Sequence, residues 1–449
     1  MKRRAPLATG LALLLVTLTL PLLSHAACTE EHGLDSSSSG QSAQIPFGRI
    51  NMTDPYLQPV GTLLASTVVP PTSYTHGGAN ASTVLFECDK ADYTNGNVYF
   101  LVATNGDERF GGYFEVGDPD GLEGVYATAF HYVGLKQSMA GTTLTRYWQR
   151  IPVTTYAEVG TKIQIRLQDI PPLVAELYKT STQRPTGSGP SNTKCGTAGY
   201  AATDVGRVYL CTDPNSYIQL VGPGLRHDEA GQDSNDNWEF YYGDNAIAYR
   251  MYYGSSLSRN ATCVARSATP LVMFPTIAAQ QLNNGVTSQA HFNVQIECSD
   301  TAASGTVSNQ TAIGIQVSNG AYSAAQRLGL VNSAGGVTAL VSDNYGNDPA
   351  LAQGVGITLQ NAGTDSDVVF VGQPGWTGSR PDGNPSGPDA GWYPVLAGAT
   401  AQGTTQAGYT HYTQTYTATL RRLTGLATGD TTVTAGKVHA TAYVLVKVQ

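Results

Sequence analysis

The chain has 449 residues, of which only 13% are charged, and it carries 33 acidic against 25 basic side chains. This acidic balance argues against nucleic acid and anionic membrane surfaces as partners, because both repel a protein of net negative charge. The 50 glycines and 25 tyrosines are typical of many short strands joined by glycine-rich turns, and they argue against a mainly helical protein.

The first 26 residues have the pattern of a secretory signal peptide. Three basic residues at positions 2–4 precede an apolar run over residues 11–23 and a small-residue cleavage site at Ala26. Removing this segment leaves 22 basic against 33 acidic residues, a net charge of −11. No later stretch reaches the roughly 18 apolar residues needed to cross a bilayer, so we expect an exported protein without a membrane span.

Six cysteines form an even number in a chain that we expect to reach an oxidising compartment, and this favours disulfides. Several pairings are open, but the spacing favours neighbours in sequence. The predicted pairs are Cys28 with Cys88, Cys195 with Cys211, and Cys263 with Cys298. None of them has the close spacing of a zinc or redox motif, so the cysteines predict neither a metal nor a cofactor.

Residues 27–258 have the pattern of an all-β domain. Predicted strands lie at residues 84–86, 98–102, 113–116, 125–130 and 162–167. Hairpin turns are predicted at Asn95-Gly96 and at residues 105–107. Residues 173–179 are the one segment whose pattern is compatible with a short helix. The turn spacing predicts a β-sandwich.

A short, small and polar segment at residues 254–259 predicts a domain boundary between residues 258 and 259. The strand pattern then starts again. Predicted strands lie at residues 292–298, 313–317, 355–359, 368–371 and 416–420. We therefore expect a second β-sandwich over residues 259–449, with the Gly- and Pro-rich residues 373–389 as a surface insertion.

The end of the chain predicts a strand with one buried face. Apolar residues alternate at period two through Val438, Ala440, Ala442, Val444, Val446 and Val448, which we call the assembly strand. No segment follows that could pair with its outer edge as a hairpin. An open strand edge invites pairing with another chain, so we expect this edge to be completed by a different polypeptide.

Three features of residues 259–449 make this part resemble the pilin domain of bacterial chaperone-usher fimbriae. They are the cysteine pair with the strand FNVQIEC at residues 292–298, Gly436 as the fourteenth residue from the end within TAGKVHATA, and the terminal alternation. One departure is Val448, because such domains usually carry an aromatic residue at this penultimate position. The resemblance implies an immunoglobulin-like sandwich that lacks one strand.

Such a domain implies three assembly partners. A periplasmic chaperone first fills the groove left by the missing strand, an outer-membrane usher follows, and the N-terminal extension of the adjacent fimbrial subunit then replaces the chaperone. Residues 27–35 show no alternating donor segment. The chain should therefore receive a strand without donating one, and it should stand at the fimbrial tip on the cell surface.

The first half resembles the receptor-binding domain of two-domain tip adhesins through residues 86–89, 103–113 and 145–150. Its expected receptor is a glycan or glycoprotein, bound without a cofactor. Sugars are held by carboxylate and amide groups beside an aromatic face. The turn that follows residue 104 offers Asn105, Asp107, Glu108, Arg109 and, close by, Tyr113. A solvated turn with no ligand is the alternative interpretation.

A second candidate surface is the acidic loop that begins at residue 233. It offers Asp236, Asn237, Trp238, Tyr241 and Tyr242, although plain packing is also open for the tyrosines. The loop matches the first ligand positions of a calcium loop, but Trp238 stands where glycine is needed and Asp244 where glutamate is usual. The sequence therefore predicts no metal here. Trp148 lies in an alternating run and is predicted to be in the core.

The main alternative function is that of a secreted glycoside hydrolase or another carbohydrate-active enzyme. A hydrolase needs two carboxylates at a defined separation, and the sequence does not place Asp118, Asp120, Glu229 and Glu239 relative to one another. The motifs His-Glu-x-x-His and Gly-x-Ser-x-Gly are absent from the sequence. We therefore expect a binding protein rather than an enzyme.

Overall fold

The computed structural model describes residues 27–35, 42–182, 209, 211–252, 254–373, 386–430 and 432–449. The predicted signal peptide, Cys195 and most of the 373–389 insertion lie outside the described residues. The described part is dominated by β-strands, as predicted. Its α-helices are short: α1 (Lys90–Thr94), α2 (Glu239–Gly243), α3 (Ala279–Asn283) and α4 (Asn319–Leu328).

The first half contains sixteen of the strands found in the described ranges. They are β1 (Thr29–Glu30), β2 (Ala43–Gln44), β3 (Gly48–Asn51), β4 (Leu63–Val69), β5 (Val84–Asp89), β6 (Tyr99–Thr104), β7 (Val125–Ala127), β8 (Val133–Met139), β9 (Thr142–Thr143), β10 (Gln149–Ile151), β11 (Ala157–Val159), β12 (Lys162–Arg166), β13 (Leu173–Lys179), β14 (Ser216–Val221), β15 (Ala246–Arg250) and β16 (Ser255–Ser258).

These strands form three sheets and a ribbon. The sheet orders are β1-β5-β12-β11, β10-β6-β14-β15-β2 and β4-β13-β8-β7, with β9 beside β8. Strands β3 and β16 pair in parallel. One apolar cluster runs through all of this half, with Phe86, Phe100 and Phe130 among its largest fully buried side chains. A smaller cluster around Trp148 and Phe240 includes residues of β6 and β14, and the burial of Trp148 agrees with its prediction.

The second half contains the remaining strands of the described chain. They are β17 (Cys263–Ala268), β18 (Ser288–Ser299), β19 (Thr311–Val317), β20 (Val355–Asn361), β21 (Ser366–Val368), β22 (Tyr393–Pro394), β23 (Thr400–Gln406), β24 (Tyr409–Arg422) and β25 (Ala442–Val448). One sheet has the order β17-β18-β24-β20-β21, with β23 beside β24, and the other has the order β22-β19-β25.

Each half has its own apolar core. The last member of the first core is Leu257, and the second core begins at Cys263. The proposed boundary between residues 258 and 259 falls in this gap. Disulfides join Cys28 to Cys88 and Cys263 to Cys298, the pairs that the spacing favoured. Cys211 is also disulfide-bonded, and its predicted partner Cys195 lies outside the described residues.

Two local predictions were wrong. The segment Leu173–Lys179 is strand β13 and not a helix, because it pairs on both sides with β4 and β8 and buries Leu173, Ala175 and Leu177 at period two. The Asn95-Gly96 turn does not join a hairpin either. Helix α1 precedes it, and β5 and β6 belong to different sheets.

The two halves meet through polar contacts. Tyr56 of the first half donates its hydroxyl hydrogen bond to Glu297 Oε1 at 2.8 Å, and its ring centroid lies 4.5 Å from that of Tyr409. Arg266 Nε lies 2.6 Å from Glu297 Oε2. Arg49 Nη1 donates to the carbonyl oxygen of Gln449 at 2.6 Å. The Glu297 carboxylate is buried, and it also accepts a hydrogen bond from the Thr405 hydroxyl.

Candidate functional site

The two binding regions predicted from the sequence lie against each other. Gly106 N–H donates to Ser234 Oγ at 2.9 Å, and Ser234 Oγ donates to the Thr104 carbonyl at 2.7 Å. A Cβ on Gly106 would come within 2.5 Å of Asn235 N, so only glycine allows this close approach. The turn after β6 and the loop at residues 231–238 therefore form one continuous region.

The turn after β6 is buried, which corrects part of the predicted site. Asn105 donates from Nδ2 to the Pro214 carbonyl at 2.9 Å, and its Oδ1 accepts from Asp107 N–H. Glu108 has 0% exposure, and its Oε1 accepts from Phe110 N–H. Asn105 and Glu108 therefore order the backbone and are not accessible to a ligand.

The remaining residues of that turn differ from one another in exposure. Residues 109–113 form a π-type turn, in which Gly111 and Gly112 pack against Asn215 and the backbone of residue 105. The strand predicted at residues 113–116 is reduced to one isolated bridge between Glu115 and Tyr126. Asp107, Arg109 and Tyr113 keep partial exposure. Of these three, Tyr113 contacts Arg146, which in turn pairs with Asp233 of the acidic loop.

Five aromatic side chains, Tyr113, Tyr147, Trp238, Tyr241 and Tyr242, form what we call the aromatic surface. Trp238 is 40% exposed even though its indole N–H already donates to the Ser234 carbonyl at 3.0 Å, so its ring is available while its polar atom is satisfied. The rings of Tyr241 and Tyr242 lie edge to face at 5.5 Å. A group of exposed rings of this kind is typical of a binding surface.

Arg146 connects the two parts of the aromatic surface. Its guanidinium lies 4.5 Å from the Tyr113 ring centroid and 5.5 Å from that of Tyr147. Its Nε lies 3.0 Å from Asp233 Oδ1. The backbone N–H of Arg146 donates to the Tyr126 hydroxyl, and burial raises the pKa of Tyr126 to about 12. This neutral, buried phenol fixes the bend between β9 and β10 that carries Arg146.

Polar groups of the acidic loop surround the aromatic rings. Asn235 Nδ2 donates to Asp236 Oδ1 at 2.7 Å, and Asn237 Nδ2 donates to the Asp233 carbonyl at 2.8 Å. The exposed carboxylate of Asp236 and the amide oxygens can accept hydrogen bonds from hydroxyl groups. Carboxylates and amides beside exposed rings are the groups that a saccharide requires.

The calcium-loop positions do not converge. Asp233 is paired with Arg146, whereas Asp244 lies on the side of Glu30 and Tyr74. Burial, and to a lesser extent the charge of Asp244, raises the pKa of both groups. Across the described ranges, no group of three or more His, Cys, Asp or Glu side chains is arranged to hold a metal ion.

A second candidate site is the outer edge of β25. Within the described chain, β25 pairs only with β19. Ser318 N–H donates to the Thr441 carbonyl, and Gln449 N–H donates to the Gln310 carbonyl, which fixes which residues face β19. Because ladder bonds alternate along an antiparallel strand, the N–H and C=O groups of Ala442, Val444 and Val446 point to the opposite side.

Strand β17 runs beside β25 without pairing with it. After β17, residues 269–278 continue as an extended segment outside any sheet. Leu271 and Met273 on this segment are 70% and 72% exposed. Val272, Phe274 and Ile277 pack against the second core. We call the free edge of β25 together with this exposed segment the groove.

The apolar face of the assembly strand is only partly covered by its own domain. Val444 and Val446 pack against the second core but stay half-buried, and only Val448 is fully buried. The strand is also shorter than predicted. Val438 and Ala440 precede it, because the backbone there bonds to the loop at residues 343–352 instead. An open edge and a half-covered apolar face occur together along the groove.

The family comparison bears on this half of the molecule. Residues 249–449 match the family model described as "Fimbrial protein". This part of the chain is a fimbrial domain. The match covers the second half of the chain and begins within the last strands of the first half.

Two solved structures are similar to the chain. One is the P pilus rod subunit PapA, with 17% identity over 42% of this chain and 100% of that chain, and a TM-score of 0.24. The other is the CupB6 tip adhesin from Pseudomonas aeruginosa, with 13% identity over 93% of this chain and 95% of that chain, and a TM-score of 0.25. No curated protein sequence matches the chain.

The helices of the described residues are too short or too polar to cross a lipid bilayer.

Proposed function

We propose that this chain is a fimbrial tip adhesin, exported through the periplasm, which binds a receptor through residues 27–258 and joins the pilus through its fimbrial domain. The observation that supports this most is the groove, because an unpaired strand edge lies there beside a half-covered apolar face. Such an arrangement gains stability when a strand from another polypeptide fills it.

The incoming strand would complete the fimbrial domain in two ways. Its backbone would pair with the free N–H and C=O groups of Ala442, Val444 and Val446, and its alternate apolar side chains would cover Val444 and Val446. A periplasmic chaperone would supply this strand first, and after passage through the outer-membrane usher an adjacent fimbrial subunit would supply it. The domain would then be an immunoglobulin-like sandwich completed in trans.

Position at the tip follows from the N-terminal segment. Strand β1 pairs with β5, and Cys28 is bonded to Cys88, so this segment is held within the first half. Held in this way, it cannot serve as a donor strand for a neighbouring subunit. The chain would therefore receive a strand and end the fibre.

The receptor is proposed to be a glycan or glycoprotein bound at the aromatic surface without chemical conversion. Exposed rings beside Asp236 and the neighbouring amides offer stacking and hydroxyl recognition together. Glycan-array binding by the full-length chain, with sugar release measured on the same spots, tests this part. Release of sugar would instead support the hydrolase alternative.

Assembly is tested by substituting adjacent residues on opposite faces of β25. Val444→Asp places a charge on the groove face, whereas Tyr443→Asp places the same charge on a side chain that is already exposed. Each variant is co-expressed in the periplasm with a fimbrial chaperone and recovered by affinity chromatography. We expect Val444→Asp to lose the complex and Tyr443→Asp to keep it.

Equal recovery of the two variants would contradict the proposal. Because Val444→Asp also disturbs the core of its own domain, a loss of complex counts only if the Cys263–Cys298 disulfide is still formed and the domain still resists protease. The exposed groove residues treated in the Discussion avoid this difficulty.

A further inference from the structure

A second concave region lies in the first half, next to the aromatic surface but separate from it. Two cavities of about 630 and 450 Å³ share the residues Gly96, Tyr99 and Arg150. Their sizes fall within the range of ligand pockets in proteins. The larger cavity is also lined by Tyr93, Pro152 and Val153, and the smaller by Pro223 and His227.

Arg150 stands between the two cavities in a fixed position. Its guanidinium lies 3.9 Å over the centroid of the Tyr99 ring, and its Nη2 donates to the Gly96 carbonyl at 2.8 Å. The other guanidinium nitrogens have no hydrogen-bond partner in the described part of the chain. Arg150 is therefore held by its ring contact and one hydrogen bond while most of its donors remain free.

The charge around Arg150 is unusual for this acidic chain. Among the described residues that line the two cavities, none is acidic, and no described carboxylate forms an ion pair with Arg150. His227 Nδ1 lies 2.8 Å from the Asp228 carbonyl, so this nitrogen carries a proton and Nε2 remains free. An unpaired guanidinium in a concave region is a site for an anion.

We propose that these cavities bind a carboxylate-bearing saccharide, with the carboxylate on Arg150. A planar guanidinium matches a carboxylate in a two-point contact. The apolar walls formed by Pro152, Val153 and Tyr93 fit the C–H face of a pyranose ring. A neutral sugar would leave the guanidinium without an acceptor, so the carboxylate sets the specificity.

The site adjoins the aromatic surface at one point. His227 follows Arg226, whose guanidinium lies 4.8 Å from the Tyr242 ring centroid and pairs with Glu239. The two regions differ in chemistry, because the aromatic surface carries exposed acidic groups and the Arg150 cavities do not. Recognition of an acidic sugar is therefore assigned to Arg150 and not to the rings around Trp238.

The test uses the full-length chain and oligosaccharides that end in glucuronic acid or N-acetylneuraminic acid, each paired with its carboxyl-reduced form. Dissociation constants are measured by calorimetry for the wild type, Arg150→Gln and Arg226→Gln. We expect at least one acidic probe to bind about tenfold or more tightly than its reduced form. The two acidic probes distinguish a uronic from a sialic acid.

Arg150→Gln should lose the preference for the acidic probe, whereas Arg226→Gln, which removes the same charge from a neighbouring exposed position, should keep it. Trp238→Ala should also keep it, which separates this site from the proposed receptor surface. Arg150 is exposed on β10, so an unchanged unfolding midpoint shows that the variant is folded. The proposal is overturned if no acidic probe is preferred, or if both arginine variants lose the preference equally.

Discussion

Leu271 and Met273 give a direct test of strand capture by the groove. Complete burial of a Leu or Met side chain contributes about 1.5–3 kcal/mol. Since these two are 70% and 72% exposed, covering them would contribute about 1–2 kcal/mol each. The double variant Leu271→Asp/Met273→Asp loses both contributions and places two charges where a strand must dock. We expect the complex to weaken by at least about 2–4 kcal/mol, or roughly 30-fold to 1000-fold in Kd.

The same variant should leave the free chain almost unchanged. Both side chains already lie in solvent, so the free energy of unfolding should shift by no more than about 0.5 kcal/mol each. This separates a binding defect from a folding defect. A matched control is Leu63→Asp/Val159→Asp, which adds the same charges at exposed positions on β4 and β11 of the first half.

Titration of a periplasmic chaperone against the purified chain gives the affinities, and urea unfolding gives the stabilities. If the groove variant binds the chaperone as tightly as the control variant, no strand covers residues 271–273. The donor-strand proposal would then be wrong for this segment.

Three further predictions concern single groups. A double-mutant cycle of Tyr56→Phe and Glu297→Gln should give a coupling free energy of about 1–2 kcal/mol in urea unfolding, because the Tyr56 hydroxyl donates a hydrogen bond to the Glu297 carboxylate across the two halves. A coupling near zero would mean that this hydrogen bond is absent in solution. Burial, and then the charge of Arg49, lowers the pKa of Lys447 from 10.5 to about 8. Between these two pH values the unfolded chain binds more protons than the folded chain, so the free energy of unfolding of the wild type should rise with pH. Lys447→Met should remove this rise and stabilise the chain at pH 7 by up to about 3 kcal/mol; parallel pH profiles of the two would contradict the burial. Trp238→Ala should weaken glycan binding on the array about tenfold, and unchanged binding would exclude this ring.

Many strands could be predicted because apolar and polar residues alternate along them, and this pattern can be seen within a few residues of sequence. The assembly strand shows this clearly, since Val444, Val446 and Val448 face the core as expected. The same pattern cannot distinguish a strand from a helix where a segment is short and has apolar residues on both faces. Residues 173–179 fit helix and strand equally well in isolation, and only pairing with β4 and β8 decides between them.

The sequence predicted several residues of the candidate site, but it did not predict how the turn after β6 and the acidic loop pack against each other. The Asn-Gly-Asp sequence at residues 105–107 is typical of an exposed hairpin, yet the chain buries Asn105 and Gly106 beneath the loop at residue 234 and leaves only Asp107 partly exposed. The contact between Gly106 and Ser234 joins residues 128 apart, and no local pattern reports such a pair. The Arg150 cavities were missed for the same reason, because their walls come from distant strands and loops.

Strand β25 takes part in three contacts at once, and this constrains what a partner can do. It pairs with β19, it forms one side of the groove, and next to its end Gln449 accepts a hydrogen bond from Arg49 of the first half. A strand bound along the free edge of β25 would remove water from this end of the groove and so strengthen the electrostatic interactions there. We therefore expect the pKa of Lys447 and the hydrogen bond from Arg49 to Gln449 to change when a strand binds in the groove. A further lowering of the Lys447 pKa when the chaperone is bound, seen as a rise of stability with pH that begins at lower pH, would show this, whereas an unchanged profile would place the incoming strand away from that end.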